Sequence, residues 1–190
     1  MRKMDSFSAL HIIKKIIDEN VCEGDICIDA TAGRGFDTLH LCSLVGDSGH
    51  VTAFDIQQDA VDSTKALLEE NGVAHRADVL LKSHSEMDSL FEENSVSFIT
   101  FNFGWLPKGD HNIHTNKDTS IEAIEKGLRL LKSGGIMSLI IYYGRETGFE
   151  ERDALLEYLP TVDSKQYTVV EMPFVNRPNC PPIPIIIIKD

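Results

Sequence analysis

The chain has 190 residues, enough for one domain with a real hydrophobic core, and its 42% hydrophobic and 25% charged residues are the balance of a folded globular protein and not of a disordered one. Thirty acidic residues against 18 basic ones give a formal net charge of −12, which argues against a broad nucleic-acid footprint but leaves room for a local basic patch. The longest apolar run, Ile183 to Ile188, is broken by Pro184 and falls far short of the ~18 residues a membrane span needs.

In chain order, Asp5 to Asn20 reads as an amphipathic helix with Leu10, Ile13, Ile16 and Ile17 on its apolar side. The charges among these apolar residues (Arg2, Lys3, Lys14, Lys15) do not suit a signal peptide. Asp25 to Thr31 is a short buried strand ending in an acid, followed by a glycine turn and a helix over Phe36 to Val45. His50 to Asp55 is a second strand that again ends in an acid, and the helix from Asp59 to Glu70 stops at Asn71-Gly72. Strands follow at Val79–Lys82 and Val96–Asn102, then a helix from Asp118 to Leu131 closed by Ser133-Gly134-Gly135. Ile136–Tyr143 is a long apolar strand, Arg152–Tyr158 a helix, and Tyr167–Phe174 and Ile183–Lys189 the last two strands. The link between those two, Arg177 to Pro184, is too short for a crossover helix, so they are expected to be antiparallel neighbours. Alternating strands and helices predict a single Rossmann-like α/β domain over residues 1–190. Its seven-stranded, mostly parallel sheet carries helices on both faces and a C-terminal antiparallel hairpin. Cys22, Cys27, Cys42 and Cys180 show no CxxC spacing, which fits a reduced, cytoplasmic protein.

Ligands of doubly wound sheets sit outside the carboxyl ends of the strands, where the strand order reverses. The first such end reads Asp29-Ala30-Thr31-Ala32-Gly33-Arg34-Gly35-Phe36-Asp37-Thr38. Gly33 and Gly35 allow a tight turn and close approach of a ligand to the backbone. Asp55, 20 residues beyond Gly35 and followed by Ile56 and Gln57, is placed to accept both hydroxyls of a ribose. A dinucleotide fingerprint wants a third glycine where this chain has Thr38. Asp29 would repel a pyrophosphate, whereas it suits the sulfonium and ammonium groups of S-adenosyl-L-methionine. The D-x-T-x-G-x-G pattern resembles motif I of class I methyltransferases, with Thr31 at the usual first glycine. Ser83 and His84 end the third strand, where they either hydrogen-bond an adenine edge or merely cap the strand.

The fourth strand ends Asn102-Phe103-Gly104-Trp105, similar to the Asn/Asp-x-x-aromatic element of N-methyltransferases. The Asn102 side chain can accept a hydrogen bond from a target amine and aim its lone pair at a methyl carbon. Trp105 either stacks on a base or faces an amine, or plugs a small satellite core. Asp110 is the candidate for holding the amine and assisting proton loss, with Tyr142 nearby at the end of the fifth strand. Asp110, His111 and His114 form a cluster, but two histidines three apart in a loop are read as surface or phosphate-contact residues, and no metal is expected.

The run N-x-G-x-L-P-x-G-D (Asn102, Gly104, Leu106, Pro107, Gly109, Asp110), with Thr115-Asn116 and Thr119-Ser120, resembles the putative rRNA methylase family. Asp29 to Asp37, Ala53 to Gln57 and Lys82-Ser83-His84 are similar to that family's other blocks, so the resemblance spans nearly the whole chain. It implies methylation of tRNA, converting 5-aminomethyl-2-thiouridine at the wobble position to its 5-methylaminomethyl form. Two positions depart from the family pattern. Trp105 stands where members carry Tyr, and Arg145 ends a Tyr142-Tyr143-Gly144-Arg145 run where members have Tyr-x-Gly-His. Arg145 is therefore expected to hold a phosphate in place of that histidine's role. Lys108, His111, His114, Lys117, Arg145 and Arg177 fall near strand carboxyl ends, where they would grip an anticodon loop, alone or in a homodimer. The competing readings are a small-molecule N- or O-methyltransferase, an rRNA methyltransferase, a non-catalytic S-adenosylmethionine-binding module and an NAD-linked oxidoreductase.

Overall fold

The computed structural model describes residues 7–104, 117–143 and 146–190. Its elements are α1 (Ala9–Asn20), β1 (Ile26–Asp29), α2 (Phe36–Val45), β2 (His50–Asp55), α3 (Gln58–Glu70), β3 (Ala77–Leu81), β4 (Val96–Phe103), α4 (Lys117–Leu130), β5 (Leu131–Ile141), α5 (Glu146–Tyr158), β6 (Tyr167–Glu171) and β7 (Ile183–Lys189). The strands form one seven-stranded sheet in the order β3-β2-β1-β4-β5-β7-β6. The five strands from β3 to β5 run parallel, and β7 lies antiparallel between β5 and β6. This is the architecture expected from the alternating pattern.

Strand residues alternate between two cores because successive side chains point to opposite faces. On one face Ile28, Phe54, Ile99, Phe101, Phe103 and Leu139 pack with Ile124 and Leu128 of α4 and Leu155 of α5. On the other Cys27, Val51, Ala53, Phe98 and Ile140 pack with Ile13 and Ile17 of α1, Leu41 of α2 and Leu68 of α3. With helices on both sides, β4 is buried along nearly its whole length, the mark of a central parallel strand. Asn102, even-numbered like Phe98, therefore belongs to the α1/α2 side of the sheet.

Four stretches differ from the sequence expectation, each for a local reason. The Ser133-Gly134-Gly135 turn lies within β5: Leu131 already pairs with Val96, and pairing resumes at Ile136 opposite Phe98. The residues between bulge out so that Leu131 and Ile136 can both be buried. Helix α5 starts at Glu146, not Arg152. Gly148 lowers the local helix propensity, but the Ser120 hydroxyl donates to Glu151 Oε1 at 2.7 Å within the α4–α5 packing and holds the early turns. Strand β6 stops at Glu171, short of Phe174, since the last ladder donor is Met172 N–H, to the Pro184 carbonyl, and Pro173 has none. A 3-10 helix over His84–Ser89 follows β3, closed by a reciprocal capping box between Ser83 and Glu86.

Pairing of Ile141 with Ile183 sets the β6–β7 connection at the carboxyl end of the parallel strands, on the same edge as the β1–α2 turn. Among the described residues no helix is long and apolar enough to cross a membrane.

Candidate active site

At the switch point the chain leaving β1 divides its hydrogen bonds between two neighbours. Ala30 N–H donates to the Thr100 carbonyl of β4, and Ala32 N–H to the Phe54 carbonyl of β2, both at 2.9 Å. The turn that follows lies between the two strand ends. Gly35 takes a left-handed φ of +82°, and a Cβ there would meet the Thr64 Cα of α3 at 2.9 Å. Glycine is thus required twice over, by the turn and by the close approach of α3. Thr64 was not foreseen; its Oγ1 also donates to the Gly33 carbonyl at 3.4 Å.

Three carboxylates gather here. Asp29 is fully buried and accepts from Thr38 Oγ1 at 2.6 Å and from Thr31 N–H at 3.2 Å. Burial, then the neighbouring charges of Asp37 and Asp55, push its carboxyl well above the usual range, to about 7. Asp55 is fixed by two backbone donors, Gly33 N–H on one oxygen and Gln57 N–H on the other, both at 2.9 Å. Each oxygen keeps lone-pair capacity toward the site. Asp37, in the first turn of α2, accepts from Asn102 Nδ2 at 2.8 Å. Among the described residues no ion pair engages any of these three acids, so the site holds concentrated, uncompensated negative charge. Such an arrangement suits a cation and opposes a pyrophosphate. Beside it Ile56 leaves β2 with 55% of its surface exposed, and Phe36 opens α2 with 71% exposed.

At the end of β4, Asn102 is held at two points. Its backbone N–H donates to Thr31 Oγ1 at 2.7 Å, and its side-chain amide donates to Asp37. Its Oδ1 is buried and has no hydrogen-bond partner among the described residues. Thr31, at the position of the usual first glycine of motif I, thus ties the β1–α2 turn to β4. Gly104 continues the strand at φ +141°, with a Cβ position only 3.0 Å from Tyr142 Cβ; a side chain there would separate the ends of β4 and β5. Burial, with the Asp37 charge adding to it, pushes the Tyr142 hydroxyl up to about 12. At neutral pH it is a hydrogen-bond donor and not a base.

Ser83 and His84, expected either to contact an adenine edge or to cap the strand, lie at the start of the 3-10 helix that follows β3. Ser83 Oγ accepts from Ser85 N–H, and the His84 ring stands edge-on to Phe101 and Phe103, with centroids 5.9 and 6.3 Å away. Burial lowers the His84 pKa to about 4, with a hydrogen bond to the Ala30 backbone opposing it, so the ring is neutral. Arg177 lies in the β6–β7 connection with its guanidinium 4.1 Å from the Phe174 ring centroid, next to Val175, which is 95% exposed. Lys117 is exposed at the start of α4. Trp105, Lys108, Asp110, His111, His114, Thr115 and Arg145 lie outside the described residues. Among the described residues no group of three or more His, Cys, Asp or Glu is placed to hold a metal.

A family profile described as "Putative rRNA methylase" matches residues 51–188. A tRNA (mnm(5)s(2)U34)-methyltransferase of Arabidopsis thaliana chloroplasts is 34% identical over 182 residues, covering 91% of this chain and 66% of that protein. The chain thus spans just under two thirds of that curated relative. Among solved structures, an rRNA methylase-like protein from Clostridium thermocellum superposes with a TM-score of 0.94 at 42% identity, covering 96% of this chain and 98% of that one. A methyltransferase-like protein from Streptococcus mutans, solved in complex with SAH, does so with a TM-score of 0.86 at 30% identity and the same coverage.

Proposed function

We propose that this chain, which belongs to the Putative rRNA methylase family, is an S-adenosyl-L-methionine-dependent methyltransferase whose acceptor is the 5-aminomethyl group of wobble (2-thio)uridine in tRNA. The observation that carries the reading is the pairing of an acidic cluster with the buried Asn102 Oδ1, both without a compensating partner among the described residues, across the ends of β1 and β4. The acids fit the cationic cofactor. The amide oxygen fits an N–H donor brought alongside it.

When bound, the cofactor supplies a methyl group on a positive sulfur, an electrophile that needs no further activation. Asp55, held by Gly33 and Gln57, accepts the ribose hydroxyls, with the exposed Ile56 beside them for the adenine ring. Asp29 would face the positive end, and Asp37 is taken up by the Asn102 amide. Asn102 Oδ1 accepts one N–H of the neutral target amine, which leaves the nitrogen lone pair free to point at the methyl carbon. Methyl transfer would form the N–C bond at the expense of the C–S bond, whose electron pair would stay on sulfur, and the methylated ammonium would then lose a proton. Tyr142, protonated at neutral pH, donates and orients; Asp110, outside the described residues, remains the candidate acceptor for the proton. The tRNA substrate is supported by the chloroplast relative and by the Arg177–Phe174 pair at the carboxyl edge, which offers a cation and an aromatic face to a nucleotide.

The test is transfer of labelled methyl from S-adenosyl-L-methionine to tRNA carrying 5-aminomethyl-2-thiouridine, followed by nucleoside analysis. Label in 5-methylaminomethyl-2-thiouridine is the expected result. Label in another nucleoside, or only in small amines, would refute this acceptor.

A further inference from the structure

Asn102 is an amide, and an amide can present either its oxygen or its nitrogen to a ligand. Which one it presents is decided by what holds the other end. Here that partner is the Asp37 carboxylate, 2.8 Å from Nδ2, and an ionised carboxylate can only accept. The amide must therefore turn its NH2 group toward α2 and its Oδ1 away. The backbone of the same residue is pinned independently through its N–H to Thr31 Oγ1 at 2.7 Å. What remains is one buried acceptor with no partner among the described residues, an arrangement that costs free energy unless a donor arrives.

We propose that Asp37 is a positioning residue that locks the flip of the Asn102 amide, so that the site presents an acceptor to the N–H of an amine. The proposal rests on the amine-methylation reading given above and adds to it the element that selects the acceptor's chemistry. Asp37 touches Asn102 and acts on the acceptor through it. A cofactor contact by Asp37 is the rival role, and so is a contribution limited to the α2 dipole, since Asp37 lies in that helix's first turn.

The lock is tested by exchanging the two side chains. With Asp37→Ala the amide is free to rotate, and kcat for the amine-bearing tRNA is expected to fall about 100-fold, with KM for S-adenosyl-L-methionine within a few-fold of wild type. Asn102→Asp sets two carboxylates against each other and is expected to fall at least as far. The exchanged double variant, Asp37→Asn with Asn102→Asp, restores an amide donor facing a carboxylate and leaves one oxygen as acceptor. It is expected to recover to within about tenfold of wild type, a coupling that independent roles would not give. A raised cofactor KM with unchanged kcat in Asp37→Ala, or a double variant no better than the product of the singles, overturns the proposal. Asp37→Asn alone, which conserves shape and can still accept in one of its two flips, is expected to lie between wild type and Asp37→Ala, and it serves if the alanine variant does not fold. The side-chain amide signals of Asn102 in 15N NMR give a readout free of any substrate. They should move in Asp37→Ala, and unmoved signals refute the lock even if tRNA is methylated. If the signals do move while wild-type enzyme leaves that tRNA unlabelled, the lock stands and the acceptor reading alone fails.

Discussion

The two halves of the site are built on different principles. At the ends of β1 and β2, each acid is satisfied by hydrogen bonds from the chain itself: Asp29 by Thr38 and Thr31, Asp55 by Gly33 and Gln57. At the ends of β4 and β5, Asn102 is held as firmly, but its side-chain oxygen has no partner among the described residues. The first half is complete as folded and receives its ligand through spare lone pairs and net charge. The second is incomplete as folded and requires a donor from outside. On the function proposed above, cofactor affinity and acceptor choice would be carried by separable sets of side chains.

The sharpest way to break that separation is at Asn102. Asn102→Ala removes the open acceptor, and kcat should fall by about 100-fold or more while cofactor binding, followed by titration calorimetry, changes little; a matching loss of cofactor affinity would merge the two halves. The complementary change is Asp55→Ala. It removes charged hydrogen bonds of about 1.5–3 kcal/mol, so cofactor KM should rise roughly 10- to 100-fold with kcat largely retained. Next in size is Gly35→Ala, which forces a Cβ against the α3 backbone at a left-handed φ. A loss of about 1–3 kcal/mol is expected, seen as a melting temperature lower by about 2–10 °C, and an unchanged melting curve would contradict the tight α3 contact.

The smallest expected effect is a pH dependence. The Asp29 carboxyl, raised to about 7 in the folded ligand-free protein, keeps its proton where the unfolded chain, with the ordinary value near 4, has lost it. Over that interval the folded state binds more protons, so Asp29 makes stability fall as pH rises from about 4 to about 7. A cationic ligand favours the ionised form. Affinity for S-adenosyl-L-methionine should therefore rise several-fold between about pH 6 and 8, less so for the uncharged-sulfur product, and Asp29→Asn should flatten the profile. His84, lowered to about 4, acts in the opposite sense on stability, which is lost as pH falls from about 6.5 toward 4. It is neutral throughout the binding measurement and leaves that test clean.

Legibility in the sequence followed the same division. Helix α2, strand β2 and strand β7 coincide with the expected ranges because glycines or prolines punctuate their flanks. The acids at the ends of β1 and β2 were readable because each follows a short apolar strand. The bulge in β5 was not, since it depends on pairing with β4 and no local propensity marks it. The 3-10 helix after β3 did carry a signal, the Ser83-x-x-Glu86 capping box, masked by its short length. Contacts that orient the acceptor side were invisible for another reason. Asp37 and Asn102 stand 65 residues apart, and Thr31 and Asn102 stand 71 apart; only the docking of β1 against β4 brings them together.

That docking has a consequence for how the protein comes into being. Strands β1, β2 and β3 are consecutive in the chain and pair as neighbours, but β4 must return to the far side of β1. Such long-range closure is entropically costly and belongs late in folding. During synthesis the acidic turn and Asp55 emerge first, with no Asn102 to stand beside them. The contacts of Asn102 with Thr31 and Asp37 therefore form only when the sheet closes.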